Sequence, residues 1–147
     1  MQPNPHDPRL RTDLTANERT VLRFMDECLH GDNLALIDEL VAEDYVQHTP
    51  GIGQGREGIR RYFHEVASRR PGRKDWRPVH LFACGDFVIL HKLLPTTVIV
   101  DILRFNERGQ LAEHWDVVQR HPEPDYDPMK RSEEDLSRFA ALFAAGA

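Results

Sequence analysis

An α+β fold, with helices first and an antiparallel meander after them, is what this 147-residue chain predicts, on three observations. Apolar residues recur at helical spacing between about residues 15 and 69. From Trp76 to Gln119 the pattern changes to short apolar runs. These runs are separated only by Gly85-Asp86, Leu94-Pro95-Thr96 and Asn106-Glu107-Arg108-Gly109. Connections that short join neighbouring strands, which must then be antiparallel.

Each element has a local reason. Residues 1–14 hold three prolines and read as a disordered or loosely packed tail. Thr15-Ala16-Asn17-Glu18 is a capping box that opens a first helix, with Val21, Leu22, Met25, Cys28 and Leu29 on one side and Gly31 as its stop. A short second helix spans about Asn33 to Val41, and Tyr45 to His48 is a brief extended segment. A third helix covers about Glu57 to Arg69, with Ile59, Tyr62, Phe63 and Val66 inward, until Pro71-Gly72 ends it. Strands are expected over Trp76–Cys84, Phe87–Leu93, Thr97–Phe105 and Gln110–Gln119. The domain is thus 15–120, followed by an extension, 121–147, whose Ser132-Glu133-Glu134-Asp135 caps a last helix at about 133–145.

Composition narrows the function. A net charge of −5 gives no basic footprint, so nucleic acid is not an expected partner. No apolar run approaches the roughly 20 residues of a membrane span, and the first residues lack a secretory pattern. Two cysteines, Cys28 and Cys84, make neither a disulfide framework nor a zinc–thiolate site, so a reduced, cytoplasmic protein is expected. Gly53-Gln54-Gly55-Arg56-Glu57-Gly58 matches a dinucleotide fingerprint, but it follows a short polar segment and precedes antiparallel hairpins. Its glycines read instead as letting a helix start close to a cavity mouth. The basic run from Arg69 to Lys74 reads as a solvated turn that offers cations to a helix C-terminus.

The hairpins serve as a ruler. A four-residue loop at 106–109 sets Asp101 opposite His114 and Ile99 opposite Asp116. Carried across the turn at 94–96, the same count puts His91 beside Ile99. One sheet face then holds His91, Asp101, His114 and Asp116 among Phe87, Ile89, Leu103, Phe105 and Val118. The other holds Val88, Leu90, Val98, Val100, Ile102, Arg104, Glu113 and Trp115. Two carboxylates and two imidazoles on an apolar face must pair, hold water or line a cavity. Such surroundings suit acid/base catalysis. A plain cross-strand ion pair at Asp101–His114 is the competing explanation, and the set could also ligate a divalent metal.

Three blocks resemble the SnoaL-like polyketide cyclase family of the nuclear transport factor 2-like superfamily. They are Tyr45 to Pro50 followed by Gly55, Glu57, Gly58 and Phe63; Gly85 to His91; and Val100 to Phe105 followed by Gly109 and Glu113 to Gln119. The pattern is nearest to the predicted SnoaL-like aldol-condensation subgroup. The resemblance implies a cone: a curved antiparallel sheet wrapped round helices, with a deep pocket at its open end. It implies ring closure by aldol condensation with no metal and no cofactor, an Asp as general acid/base and a nearby His. Asp116 is the first assignment for the base and Asp101 the second, with His114 or His91 returning a proton or stabilising the oxyanion. His48 joins them if its segment forms the rim, and Tyr45, Tyr62, Phe63, Phe87, Ile89, Ile99 and Leu103 are the expected substrate wall. The expected partners are a small apolar organic ligand and a second copy docked on the outer sheet face. A pocket that binds without chemistry is the alternative.

Overall fold

The computed structural model describes residues 7–120, and the expected helix at about 133–145 lies outside the described residues. Helix α1 (Ala16–Arg23) opens on the anticipated capping box: Thr15 Oγ1 accepts from the Glu18 amide at 3.2 Å, and Glu18 Oε2 accepts from the Thr15 amide at 2.7 Å. It runs on as π-helical turns over Phe24–Leu29, burying Phe24, Met25, Cys28 and Leu29. Gly31 does not supply the left-handed stop; Asp32 does, at φ 65°. Gly31 is needed for another reason, because a Cβ there would lie 2.4 Å from the Glu27 carbonyl oxygen. Helix α2 (Ile37–Leu40) is a single turn that passes directly into strand β1 (Val41–Gln47). Helix α3 (Gly55–Glu65) starts from the glycine loop. Gly53 lies so close to Gly58 that a Cβ on Gly58 would meet the Gly53 carbonyl at 2.0 Å. The fingerprint glycines therefore serve a tight backbone crossing.

Four strands follow: β2 (Arg77–Cys84), β3 (Phe87–Leu94), β4 (Thr97–Phe105) and β5 (Leu111–Arg120). The sheet order is β1-β5-β4-β3-β2. The meander is antiparallel as expected, whereas β1 joins its edge parallel to β5, so the sheet is mixed. Val21, Met25, Ile37, Leu90, Leu103, Phe105 and Leu111 form the centre of the core, between the helices and the concave sheet face. Arg73 donates to the Leu29 carbonyl at 2.6 Å and pairs with Asp32, so the basic run does supply a cation to a helix C-terminus, but from a buried arginine and not from a solvated turn. None of the described helices is long and apolar enough to cross a membrane.

Two turns decide which residues face inward. Between β3 and β4 the loop is only Pro95-Thr96, with Leu94 opposite Thr97. That is one place away from the expected pairing, so His91 pairs with Val100 and Lys92 with Ile99. A slip of one exchanges the faces. Lys92, Leu90 and Val88 therefore point inward, and His91, Ile89 and Phe87 point outward, the reverse of the sequence-based expectation. Between β4 and β5 two departures cancel. The loop is one residue longer, with Phe105 opposite Leu111, and a bulge at Ala112 adds the second shift. Asp101 then pairs with Asp116 and Leu103 with His114, all still on the inner face.

Candidate active site

The concave face closes over a cavity of about 730 Å³, lined by residues of every layer. Its apolar wall includes Phe24, Met25, Ile59, Phe63, Ile99, Leu103 and Val118, with Tyr45 and Tyr62. Of the expected wall residues, Tyr45, Tyr62, Phe63, Ile99 and Leu103 are there; Phe87 and Ile89 lie on the other side of the sheet, about two-fifths exposed.

The polar wall is built on adjacent strands. Asp101, at the centre of β4, is almost wholly buried. Its Oδ1 lies 3.0 Å from His114 Nε2 and its Oδ2 lies 2.8 Å from Lys92 Nζ. Burial alone would raise the Asp101 carboxyl, but the Lys92 charge, and then the hydrogen bond and charge of His114, hold it below the usual carboxylate range. Asp101 is therefore a fixed anion.

His114 is held from its other side by Gln47, whose Oε1 lies 2.9 Å from Nδ1. The amide cannot be turned round. Gln47 Oε1 also accepts from the Thr49 backbone amide at 3.0 Å, and its Nε2 donates to the Tyr45 hydroxyl at 3.3 Å. Each ring nitrogen of His114 therefore faces a side-chain oxygen, and the two contacts fix the ring's orientation. The support continues outward, because the Gln54 side chain both donates to the Gln47 carbonyl at 2.7 Å and accepts from its amide at 2.9 Å. That pair of bonds satisfies the free edge of β1. Burial, and then the charge of Asp101, push the Tyr45 phenol up.

Asp116 belongs to the same cavity, and its carboxylate, that of Asp101 and the His114 ring all present atoms within 4.8 Å of one another. Unlike Asp101, it has no hydrogen-bond or ion-pair partner among the described residues. A dication bound by these three residues would compete with Lys92 for Asp101 and, at Nε2, would break the His114 bond to Asp101.

Two expected site residues are elsewhere. His91 lies on the outer face, where its Nδ1 is 3.0 Å from that of His80; burial, and then the neighbouring His80, push its imidazole down. His48 is also outside. It stacks on Trp115 with 4.7 Å between centroids and pairs with Glu113 at 2.8 Å. The adjacent Gln47 takes the inward position instead. Lys92 and Gln47 are the site residues that sequence reasoning missed. Lys92 left one signal, a lysine inside the apolar run Phe87 to Leu94.

Comparison with known proteins agrees with this fold. The sequence profile of the family described as SnoaL-like domain matches residues 21–120. No curated protein matches. Among solved structures, a Bacillus cereus protein provisionally named a polyketide cyclase superposes with a TM-score of 0.60 at 22% identity, over 80% of this chain and 87% of that one. A provisionally named polyketide cyclase from Acidithiobacillus ferrooxidans gives 0.59 at 19% identity, over 74% and 92%. A provisionally named ketosteroid isomerase from Kribbella flavida gives 0.53 at 21% identity, over 80% and 88%. At these identities the likeness is one of fold.

Proposed function

This chain belongs to the family of SnoaL-like domains, and on that footing we propose that it is a cofactor-independent acid/base enzyme, an aldol cyclase or isomerase of a small, largely apolar carbonyl compound. One observation carries the reading. A cavity of organic size holds a carboxylate, Asp116, without a partner among the described residues, next to an Asp101 that is engaged on both oxygens. Asp101 is occupied on both oxygens and is a poor base. Asp116 is the base, and Asp101, Lys92, His114 and Gln47 form the charged wall beside it.

In the first step an Asp116 oxygen takes the proton from the carbon next to the carbonyl. The C–H electron pair becomes the new C=C bond, and the carbonyl π pair moves onto oxygen, giving an enolate. In an isomerisation the Asp116 proton returns at a different carbon of the conjugated system. In an aldol closure the enolate carbon attacks a second carbonyl of the same molecule, and the alkoxide so formed takes up the proton. Negative charge passes from the Asp116 carboxylate to the enolate oxygen, and the Lys92 ammonium stands in the same cavity wall.

The test requires no knowledge of the natural substrate. A panel of cyclic ketones and 1,3-diketones is incubated with the protein in heavy water, and deuterium entering next to the carbonyl is followed by NMR. Exchange above the buffer rate, reduced about 10²–10⁴-fold in Asp116→Asn with an unchanged melting curve, is the expected result. Tight binding across the panel without exchange would identify a binding protein on the same fold instead.

A further inference from the structure

The mechanism leaves a second polar group in the cavity unused. His30 follows the π-helical end of the first helix, is nine-tenths buried and lines the same cavity as Lys92. Its ring stacks on Trp76 at 5.1 Å and 18°. Neither ring nitrogen has a hydrogen-bond partner of normal geometry. Buried polar groups are satisfied as a rule, and an exception requires a reason. Burial, and then the charge of Lys92, push the imidazole down to about 3, so His30 is neutral and carries one N–H and one lone pair. The Arg73 backbone and the Asp101 charge pull weakly the other way. Lys92 also has donor capacity to spare. Its nitrogen forms an ion pair with Asp101 Oδ2 at 2.8 Å, and its other contact is the Met25 sulfur at 3.5 Å, a weak acceptor.

We propose that His30 and Lys92 together hold the oxygen that becomes the enolate, as a site for a developing oxyanion. This rests on the acid/base reading above and adds to it the class of ligand: a compound whose acidic oxygen binds as an anion once Asp116 has taken the proton. A neutral imidazole N–H and an ammonium N–H can both donate to an oxygen, which a carboxylate cannot, and both residues are no more than a tenth exposed. The Lys92 ammonium is thereby brought to the atom on which negative charge forms.

The experiment uses the full chain carrying Asp116→Asn, which imitates the protonated base, and 2-naphthol, whose neutral and ionised forms differ in absorbance and emission. Bound 2-naphthol is expected to ionise at least one pH unit below the free compound, a preference for the anion of about tenfold or more. Adding His30→Phe should lower that preference by about tenfold, and His30→Gln, which restores a donor, should recover part of it. Lys92→Met should do the same as His30→Phe. It also strands the buried Asp101 charge, so His30→Phe, which breaks no ion pair, is the deciding variant. The proposal is overturned if bound 2-naphthol ionises where the free compound does, if neither form binds at millimolar concentration, or if His30→Phe leaves the preference intact. The two readings fail separately. Loss of ketone exchange in Asp116→Asn with no naphtholate preference removes only the oxyanion site. A naphtholate preference that depends on His30, with ketone exchange unaffected by Asp116→Asn, leaves the oxyanion site and removes the base.

Discussion

The two faces of the sheet carry the same kinds of side chain and make opposite use of them. Inside, Asp101, Lys92 and His114 form one network in which the side chains of Asp101 and Lys92 are less than a tenth exposed. Outside, Glu113 joins Arg104 at 2.9 Å and His48 at 2.8 Å, and His80 meets His91, all beside water. Geometry alone does not separate the two sets, because the distances are alike. Burial does, since solvent screens the outer pairs and the inner ones have no substitute for their partners.

The largest effect that would break this contrast is Lys92→Met. Leaving Asp101 buried and unpaired should lower stability by about 3–5 kcal/mol in urea titrations. A loss similar to that of an outer-face substitution would mean that water reaches the network.

The next concerns pH. His30 is held down to about 3 in the fold against an ordinary 6.5. Between those values the unfolded chain takes up a proton that the folded chain refuses, so stability falls as pH falls. The slope is at most about 1.4 kcal/mol per pH unit. Asp101, whose carboxyl is depressed, contributes stability that is lost only as pH drops below the ordinary carboxylate range. Urea midpoints between pH 5 and 6.5 therefore carry the His30 contribution together with one of the same sign from His91, and the slope lost in His30→Phe is the part due to His30. An unchanged slope would mean that His30 is already protonated in the fold.

The outer face sharpens the comparison in a third way. Phe82, Phe87, Ile89 and Val117 are each more than a third exposed there. A homodimer through this face would cover them. Sedimentation should give twice 17.0 kDa for the wild type and 17.0 kDa for Ile89→Lys/Val117→Lys; a wild-type monomer removes the dimer. The smallest effect is Glu113→Gln, for which no measurable shift of the urea midpoint and no change in ketone exchange are expected. A clear loss of exchange would show that the two faces communicate through His48 and Gln47.

Much of this was legible in the sequence. The capping box at Thr15 and the order of helices and strands follow from local chemistry; Asp101, His114 and Asp116 were placed on the right face, although the expected pairs, Asp101 with His114 and Ile99 with Asp116, are not the ones formed. What was not legible was register. Strand β3 is apolar on both of its faces, with Val88 and Leu90 on one and Phe87 and Ile89 on the other, so hydrophobic pattern cannot choose between them. The face of β5 was read correctly only because the longer loop and the bulge at Ala112 offset each other. The parallel partner of β5 was hidden for a different reason. Pairing between β1 and β5 is set by the path of the chain through α3, over a separation that no local signal spans.

The two-residue turn at Pro95-Thr96 has an evolutionary consequence. Since either face of β3 can be buried, one inserted residue at that turn would let the strand slide by one place, withdrawing Lys92 and Leu90 and presenting His91 and Ile89. An ammonium beside Asp101 would be exchanged for an imidazole, and the polar wall of adjacent strands would hold His91 and His114 with Asp101 and Asp116, a set of ligands suited to a transition metal. A single codon at the tip of a hairpin thus separates a site built round an ion pair from one built to capture a cation. Among descendants of such a scaffold, new chemistry could arise through a change in length before any residue of the cavity is replaced.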